Sequence, residues 1–351
     1  MKYRTLGKTG LKVSEIGMGT WQLVGDENSW TKPNLEESEK SLSRYVELGG
    51  NFIDTASSYG SFTGQAPGEH PSEKFIGEFL KKNKISRDKV VITTKVHPKN
   101  WTWPAHKGSK IENVFPSDHI TQVVDDSLKN LKLDYIDLVQ FHVWQDEWAR
   151  ENIWKDTIQK IIQSGKVHYW GISINDFQPS NCLQTLETGL ISTIQFIFNL
   201  FHQKPTEKLF PYALNNNIGL IVRVPMDEGG LTGKFTTHTT FLDGDFRKEY
   251  FSPEHLVELI ERTDKLKKLL STEAKNLVEL NLRYILSFVA VSTVIPGMRK
   301  VKYVEENTSM SDDRGLTPKL LEQLKNYAWE RNFYPESWRD PALKMTNYIE
   351  T

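Results

Sequence analysis

Apolar and polar positions follow two rhythms along this chain. Short runs rich in β-branched and aromatic residues recur at Glu15–Gly19, Asn51–Ile53, Lys89–Lys95, Tyr135–Phe141, Val167–Ile172, Thr193–Phe198, Gly219–Val224 and Val291–Ile295. They read as buried strands. Longer stretches with a helical period fall between or after them, at Leu35–Leu48, Ser72–Asn83, Ser117–Leu131, Asn152–Ser164, Pro179–Glu187, Pro205–Asn215, Thr272–Phe288 and Lys302–Met310. In Ser117–Leu131 the apolar Ile120, Val123, Val124, Leu128 and Leu131 share one helix face, and Ser117 is expected as its N-cap. Ser72-Glu73 and Thr272-Glu273 are further expected helix starts. Eight strand–helix units in one run predict an α/β fold, a (β/α)8 TIM barrel over residues 15–310. The hairpin-like Tyr3–Val13, with its Gly-rich turn, places an N-terminal β-hairpin at 1–14, and a C-terminal extension occupies 311–351. The whole is expected to be a single domain. A helix near Pro318–Glu330 is expected before the tail folds over the barrel.

A doubly wound sheet is the competing architecture. Its Gly-x-Gly-x-x-Gly phosphate loop has only a partial counterpart, Gly17-Met18-Gly19-Thr20-Trp21-Gln22, which lacks the third glycine. The long loops after strands are Thr20–Asn34, Gly60–Pro71, Val96–Pro116, Val143–Glu151 and Pro225–Pro253. In a barrel such loops gather at one face, where sites lie. They hold Trp21, Trp30, Trp101, Trp103, Trp144 and Trp148. Two readings stay open for these tryptophans: an aromatic wall around a ligand, or packing of the loops onto the barrel.

Composition narrows the partners. Lys plus Arg number 44 and Asp plus Glu 45 over 351 residues, a net charge of -1. No basic field suggests nucleic acid or an acidic membrane surface. The single cysteine, Cys182, excludes an intramolecular disulfide and a Cys-based zinc cluster. The polar start Met1-Lys2-Tyr3-Arg4-Thr5 leads into no apolar signal core, and no apolar run approaches the roughly 20 residues of a membrane span. A cytoplasmic protein with no metal requirement is expected.

Four ionisable residues fall at the ends of consecutive strands. Asp54 and Tyr59 follow the second, Lys95 ends the third, and His142 ends the fourth. A lysine closing a β-branched strand is costly in a barrel core unless paired, and Asp54 is the candidate partner. An ammonium beside Tyr59 favours its phenolate and suits it to proton transfer. His142 can hydrogen-bond the same substrate oxygen.

The chain resembles the aldo/keto reductase family along almost its whole length. The motifs that carry this are Tyr3-Arg4-Thr5-Leu6-Gly7-Lys8-Thr9-Gly10, Asn51-Phe52-Ile53-Asp54-Thr55-Ala56 with Tyr59-Gly60, Thr94-Lys95, Gln140-Phe141-His142, Gly171-Ile172-Ser173, Gly229-Gly230-Leu231-Thr232-Gly233-Lys234-Phe235, and Ile295-Pro296-Gly297 with Glu305-Glu306-Asn307. The resemblance implies a nicotinamide-dependent carbonyl reductase with Asp54, Tyr59, Lys95 and His142 as its tetrad. Tyr59 would be the proton donor, Lys95 and Asp54 would tune it, and His142 would orient the carbonyl. It implies NADP as cofactor and a small-molecule carbonyl as substrate, met by Trp21, Tyr59, Trp101, Trp144 and His142.

The same resemblance implies the cofactor's track. Ser173 and Gln195 would hold the carboxamide, with Asn199 close by. Gly19, Thr20, Trp21 and Asp54 would also line the cofactor. The family often places Asn directly after the serine; here Ile174 stands there and Asn175 follows. Arg223 stands where an aromatic residue commonly covers the nicotinamide, so it is read either as a cover for the ring or as an ion-pair partner of Asp227 or Glu228. Val224 would contact the cofactor, and the backbone from Pro225 to Leu231, through Met226, Glu228, Gly229 and Gly230, would line the pyrophosphate with the ammonium of Lys234. Gly297, Met298 and Arg299 precede the last helix, a place suited to an anion, with Arg299 the expected 2′-phosphate contact that favours NADPH over NADH. Glu305 and Asn307 would meet the adenine. Two other readings of the same barrel are a cofactor-binding regulatory subunit, as in the potassium-channel beta subunits, and a lyase or isomerase with Lys95 as Schiff-base amine.

Overall fold

The computed structural model describes residues 1–25, 33–60, 68–335 and 339. Its strands are β1 (Tyr3–Thr5), β2 (Lys12–Ser14), β3 (Met18–Gly19), β4 (Phe52–Asp54), β5 (Val91–Val96), β6 (Ile136–Phe141), β7 (Val167–Ser173), β8 (Thr193–Ile197), β9 (Gly219–Arg223) and β10 (Val291–Val294). β1 and β2 pair antiparallel as the expected hairpin. β3 to β10 form one parallel sheet in sequential order. Ile16 bridges to Val294 and Gly19 to Gly297, both parallel, so the first and last strands meet and the barrel closes. Every residue of β5 and β6 is buried, which explains why these strands read as continuous apolar runs.

The barrel interior is graded along its axis. Phe52 and Val91, which begin β4 and β5, pack with Leu138, Ile221 and Ile295 and with Leu6 and Val13 of the hairpin in a separate apolar cluster. The hairpin therefore plugs that end. Gly7 has φ +51°, and a Cβ on it would sit 2.1 Å from the backbone N of Gly219, so only glycine admits this approach. Toward the strand ends the interior turns polar, with Asp54, Lys95, Gln195 and Arg223 at or near the last positions of β4, β5, β8 and β9. With the apolar end sealed, this polar end is where solvent and ligand can enter.

Several helix boundaries differ from the sequence-based expectation. Ser117 is the first helical residue of Ser117–Leu131, and the cap position is Pro116. The helix expected from Ser72 starts one residue earlier, at Pro71, with His70 at the cap. In place of Thr272–Phe288 the helix is Leu277–Leu286, because the Asn276 side chain accepts from Glu279 N and sets a later start. The helix Pro253–Lys267 was not expected. Ser252 caps it, Pro253 occupies its first turn, and Leu256, Leu259 and Leu266 are buried. Those signals are all local, so this helix was readable in principle. The tail helix is Pro318–Leu324, followed by a 3-10 turn at Lys325–Tyr327.

No helix among the described residues is long and apolar enough to cross a membrane. Among the same residues there is no group of three or more His, Cys, Asp or Glu able to hold a metal ion.

Candidate active site

The structure brings Asp54, Tyr59, Lys95 and His142 together at the polar mouth of the barrel. Lys95 Nζ donates to Asp54 Oδ2 at 2.7 Å, to the Thr55 carbonyl at 2.8 Å and to Tyr59 Oη at 3.2 Å. The three ammonium hydrogens are thus all used, and a fully buried lysine keeps its charge. The second Asp54 oxygen, Oδ1, accepts from Gln195 Nε2 at 2.7 Å. The Tyr59 ring lies edge-on to His142 with centroids 5.7 Å apart. His142 Nδ1 is 3.2 Å from Ser58 Oγ.

The protonation of this cluster follows from burial and from Lys95. Burial pushes the Asp54 carboxyl up from its ordinary value, while Lys95 and Gln195 pull it back. Burial alone would lower Lys95; Asp54 and Tyr59 outweigh it and raise the ammonium. Tyr59 differs from the sequence-based expectation. Lys95 does pull its phenol down, but burial is the larger influence, and the net direction is up. Tyr59 is therefore held protonated at neutral pH, the state a proton donor needs. His142 is pushed well below the usual histidine range, first by burial and then by Lys95 and Arg223, so it is neutral.

Aromatic side chains frame the mouth. Trp21 stacks on Tyr59 at 6.1 Å and on Phe246 at 5.5 Å. Trp103 meets His142 edge-on at 5.8 Å, and Trp101, 45% exposed with φ +51°, tilts over His97 at 4.6 Å. Trp144 does not belong to this wall. It is fully buried against Phe141, Trp148 and Trp154, with Nε1 donating to Thr185 Oγ1 at 2.8 Å. Trp148 is buried too. Trp30, Trp338 and most of the Gly60–Pro71 loop lie outside the described residues. Trp103 was one of the loop tryptophans considered for such a wall, whereas His97, Ser58 and Phe246 were not singled out from sequence. Strand alternation carries a signal for His97, two residues beyond Lys95, but nothing local points to Phe246.

The residues expected along a nicotinamide cofactor lie on β3, β4, β7, β8 and β9, in the segments that follow β3, β9 and β10, and on the helix Val301–Thr308. Gln195 Oε1 is buried and has no hydrogen-bond partner among the described residues. An orphaned carbonyl beside Asp54 is what a carboxamide N–H would satisfy, so the site fits this group. Ser173, at the end of β7, pairs in register with Gln195. Asn175 is consumed elsewhere, its amide bonded to Ala105 and Gln178. Asn199 Nδ2 supports the Val224 carbonyl at 3.0 Å. Arg223 pairs with Asp176 at 2.6 Å and also donates to the Ile174 carbonyl at 3.0 Å. Its acid partner is thus Asp176, rather than Asp227 or Glu228.

The segment after β9 turns through positive φ at Val224, Asp227, Glu228 and Gly229. Lys234 Nζ lies 5.2 Å from the Tyr303 ring centroid, tying this segment to the helix Val301–Thr308. Met298 is buried, Gly297 is exposed, and partly exposed Arg299 has no ion-pair partner among the described residues. Two acids are already engaged around that helix, and one of them, Glu305, was expected to meet the adenine. Glu37 Oε1 accepts from Val301 N at 3.3 Å, and Glu305 is paired with Arg44 at 2.9 Å.

The C-terminal extension clasps the same segment. Arg331 pairs with Asp227, and Tyr334 Oη donates to Glu228 Oε1 at 2.8 Å. Burial pushes the Glu228 carboxyl from 4.5 up to about 7, against the pull of Tyr334. Between these two values the unfolded chain releases a proton that the folded chain keeps, so this group makes stability fall as pH rises across the window. Glu228→Gln, which mimics the protonated acid, is expected to stabilise at pH 8 by up to about 3 kcal/mol. The gain at pH 5 is expected to be much smaller. Thermal unfolding at both pH values checks this; equal midpoints for parent and variant would show that the carboxyl carries no such cost.

Known proteins share this arrangement of fold and sequence. Residues 15–327 match the model of the aldo/keto reductase family. The chain is 29% identical over 320 residues to the Bacillus subtilis aldo-keto reductase YhdN, covering 90% of each chain. It is 27% identical over 354 residues to a probable voltage-gated potassium channel subunit beta of Arabidopsis thaliana, covering 97% of this chain and 100% of that one. Its fold superposes on the holo form of aldo-keto reductase AKR11C1 from Bacillus halodurans with TM-score 0.71 and 25% identity, covering 97% and 100% of the two chains. With a closed parallel barrel, a polar mouth and a family match that spans nearly the full chain, the protein belongs to the aldo/keto reductase family of oxidoreductase enzymes.

Proposed function

We propose that this oxidoreductase is an NADP-preferring reductase of aldehydes or ketones, with Tyr59 as proton donor. The observation that carries this reading is the single ammonium of Lys95 shared between the Asp54 carboxylate and the Tyr59 phenol. A buried, charged lysine stabilises negative charge forming on Tyr59 as its proton leaves. Asp54 keeps that ammonium charged and aimed, and Gln195 fixes the other oxygen of Asp54. His142, neutral and beside Tyr59, donates to the substrate oxygen and orients the carbonyl. A bound reduced nicotinamide would supply the hydride to the carbonyl carbon. Ser173 and Gln195 would hold its carboxamide, and the segment from Val224 to Lys234 would run along the pyrophosphate. Trp21, Trp101 and Trp103 exclude water and offer flat faces to the substrate. The reverse reaction, oxidation of an alcohol, uses the same groups.

Arg299 is the contact assigned to the 2′-phosphate, because its guanidinium lacks a partner among the described residues. Arg299→Ala is expected to weaken NADPH by about tenfold, the scale of one lost charge-assisted hydrogen bond. NADH affinity is expected to change little; equal losses for both would remove Arg299 from this role.

The reading as a whole is tested by assaying a carbonyl panel with NADPH and NADH side by side. Similarity to potassium-channel beta subunits favours one other reading, a cofactor-binding regulatory subunit. Tight NADPH binding without turnover across the panel would favour it. The Schiff-base reading fits the geometry poorly, since that chemistry needs a neutral, free amine and Lys95 is charged and fully bonded.

A further inference from the structure

A neutral imidazole carries one N–H, and the position of that hydrogen decides what His142 can do. With the hydrogen on Nε2, the free edge of the ring is a donor. With the hydrogen on Nδ1, that edge presents a lone pair, which repels a carbonyl oxygen. Among the described residues the one hydrogen-bond partner of the ring is Ser58 Oγ, 3.2 Å from Nδ1.

A hydroxyl can serve either tautomer, so the choice depends on the rest of the hydrogen-bond inventory. Ser58 is 1% exposed. Among the described residues its hydroxyl has no partner other than His142. If Ser58 accepted from an Nδ1–H, its own O–H would be buried without an acceptor. If it donates to Nδ1, that O–H is satisfied, and Nε2 must carry the ring hydrogen. A buried donor left unmade costs more than a bond formed gains, so the second arrangement wins. The neighbouring Ser57 cannot substitute, because its hydroxyl donates to the Lys95 carbonyl at 2.7 Å and lies 2.8 Å from His97 Nδ1.

From these contacts we infer that Ser58 is a positioning residue: its hydroxyl donates to His142 Nδ1 and holds the ring as the Nε2–H tautomer. The catalytic consequence rests on the proposed carbonyl reduction; the tautomer itself does not. Ser58 is buried, and its hydroxyl bonds His142 alone among the described residues, so it acts through that ring. No proton is consumed in this role, so Ser58 stays a hydroxyl throughout.

The experiment records imidazole nitrogen shifts of the full chain labelled at histidine, without cofactor or substrate, and assigns His142 by its loss in His142→Gln. The parent is expected to show His142 as the Nε2–H form. Ser58→Ala is expected to show a mixture of tautomers, and Ser58→Thr, which restores a hydroxyl, to return the single form. An Nδ1–H parent, or a tautomer unchanged in Ser58→Ala, overturns the inference even if the enzyme turns over. In the NADPH assay, Ser58→Ala is expected to lose about tenfold in kcat, the low end of what removing a histidine's orienting partner costs at metal centres. Cofactor affinity should stay within twofold, and the threonine variant should recover most of the loss. An altered tautomer with unaltered kcat would instead overturn the role of His142 as carbonyl donor and leave the tautomer assignment standing.

Discussion

Tyr59→Phe is expected to reduce turnover by about 10²- to 10⁴-fold, the range for losing a positioned acid. The phenylalanine ring keeps the stacking with Trp21 and the edge contact with His142, so the mouth keeps its shape. Lys95 loses one of three acceptors but keeps Asp54 and the Thr55 carbonyl. Cofactor affinity should therefore be preserved, which tryptophan fluorescence on NADPH titration can read. The rate, the affinity and the melting temperature separate the possible causes. A variant that binds NADPH normally, melts normally and turns over within a few fold of the parent would remove Tyr59 from the donor role.

Lys95→Met is expected to cost both activity and stability, for different reasons. Activity falls because nothing remains to stabilise charge on Tyr59. Stability falls by about 3–5 kcal/mol near neutral pH, since Asp54 would be a buried carboxylate without its cation. The pH dependence follows from the direction of the Asp54 shift. Burial already raises its carboxyl, and removing Lys95 takes away the main opposing pull. A raised carboxyl makes the folded state bind more protons than the unfolded one. The variant should thus lose stability as pH rises above the ordinary aspartate range and recover part of it toward pH 5. Adding Asp54→Asn to Lys95→Met should restore stability without restoring turnover. If the double variant melts no higher than Lys95→Met alone, the buried-charge explanation fails.

Much of this architecture was legible before folding, and the reasons are local. Parallel strands covered on both faces must be apolar throughout, so β5 and β6 stand out as unbroken runs. The residues that end strands are placed by that same pattern, which is why Asp54, Lys95 and His142 were found as a set. Helix starts were less legible, since Asn276 competes as a cap with the nearby Thr272, and Pro71 in the first turn moves the other start ahead of Ser72. The helix Pro253–Lys267 shows the opposite case: its cap, proline and apolar face were all in plain view inside a stretch otherwise rich in turn residues.

The tryptophans divide along the same line. Sequence places Trp101, Trp103, Trp144 and Trp148 in long loops and leaves open whether each faces a ligand or packs a loop; the expectation of a substrate contact failed for Trp144. Only packing separates Trp144 and Trp148, whose N–H groups find Thr185 Oγ1 and the Ser109 carbonyl inside the protein, from Trp101, which stays half exposed at the mouth. The partner of Arg223 is similar. Asp227 and Glu228 are near in sequence, but their carboxyls are taken by Arg331 and Tyr334 from the far end of the chain, leaving Asp176 to the arginine.

What the sequence determined by itself, then, was the barrel and the identity of the four ionisable residues at its mouth, because strand periodicity and strand ends are short-range properties. The sequence already suggested Asp54 and Tyr59 beside Lys95; the tertiary structure decided which hydrogens are shared there and added Gln195 and Ser58. Lys95 reaches Tyr59 and Asp54 across 36 and 41 residues, Gln195 reaches Asp54 across 141, and Ser58 reaches His142 across 84. Those separations are set by the closure of the ring, and a hydrogen bond depends on tenths of an ångström that no spacing along the chain encodes.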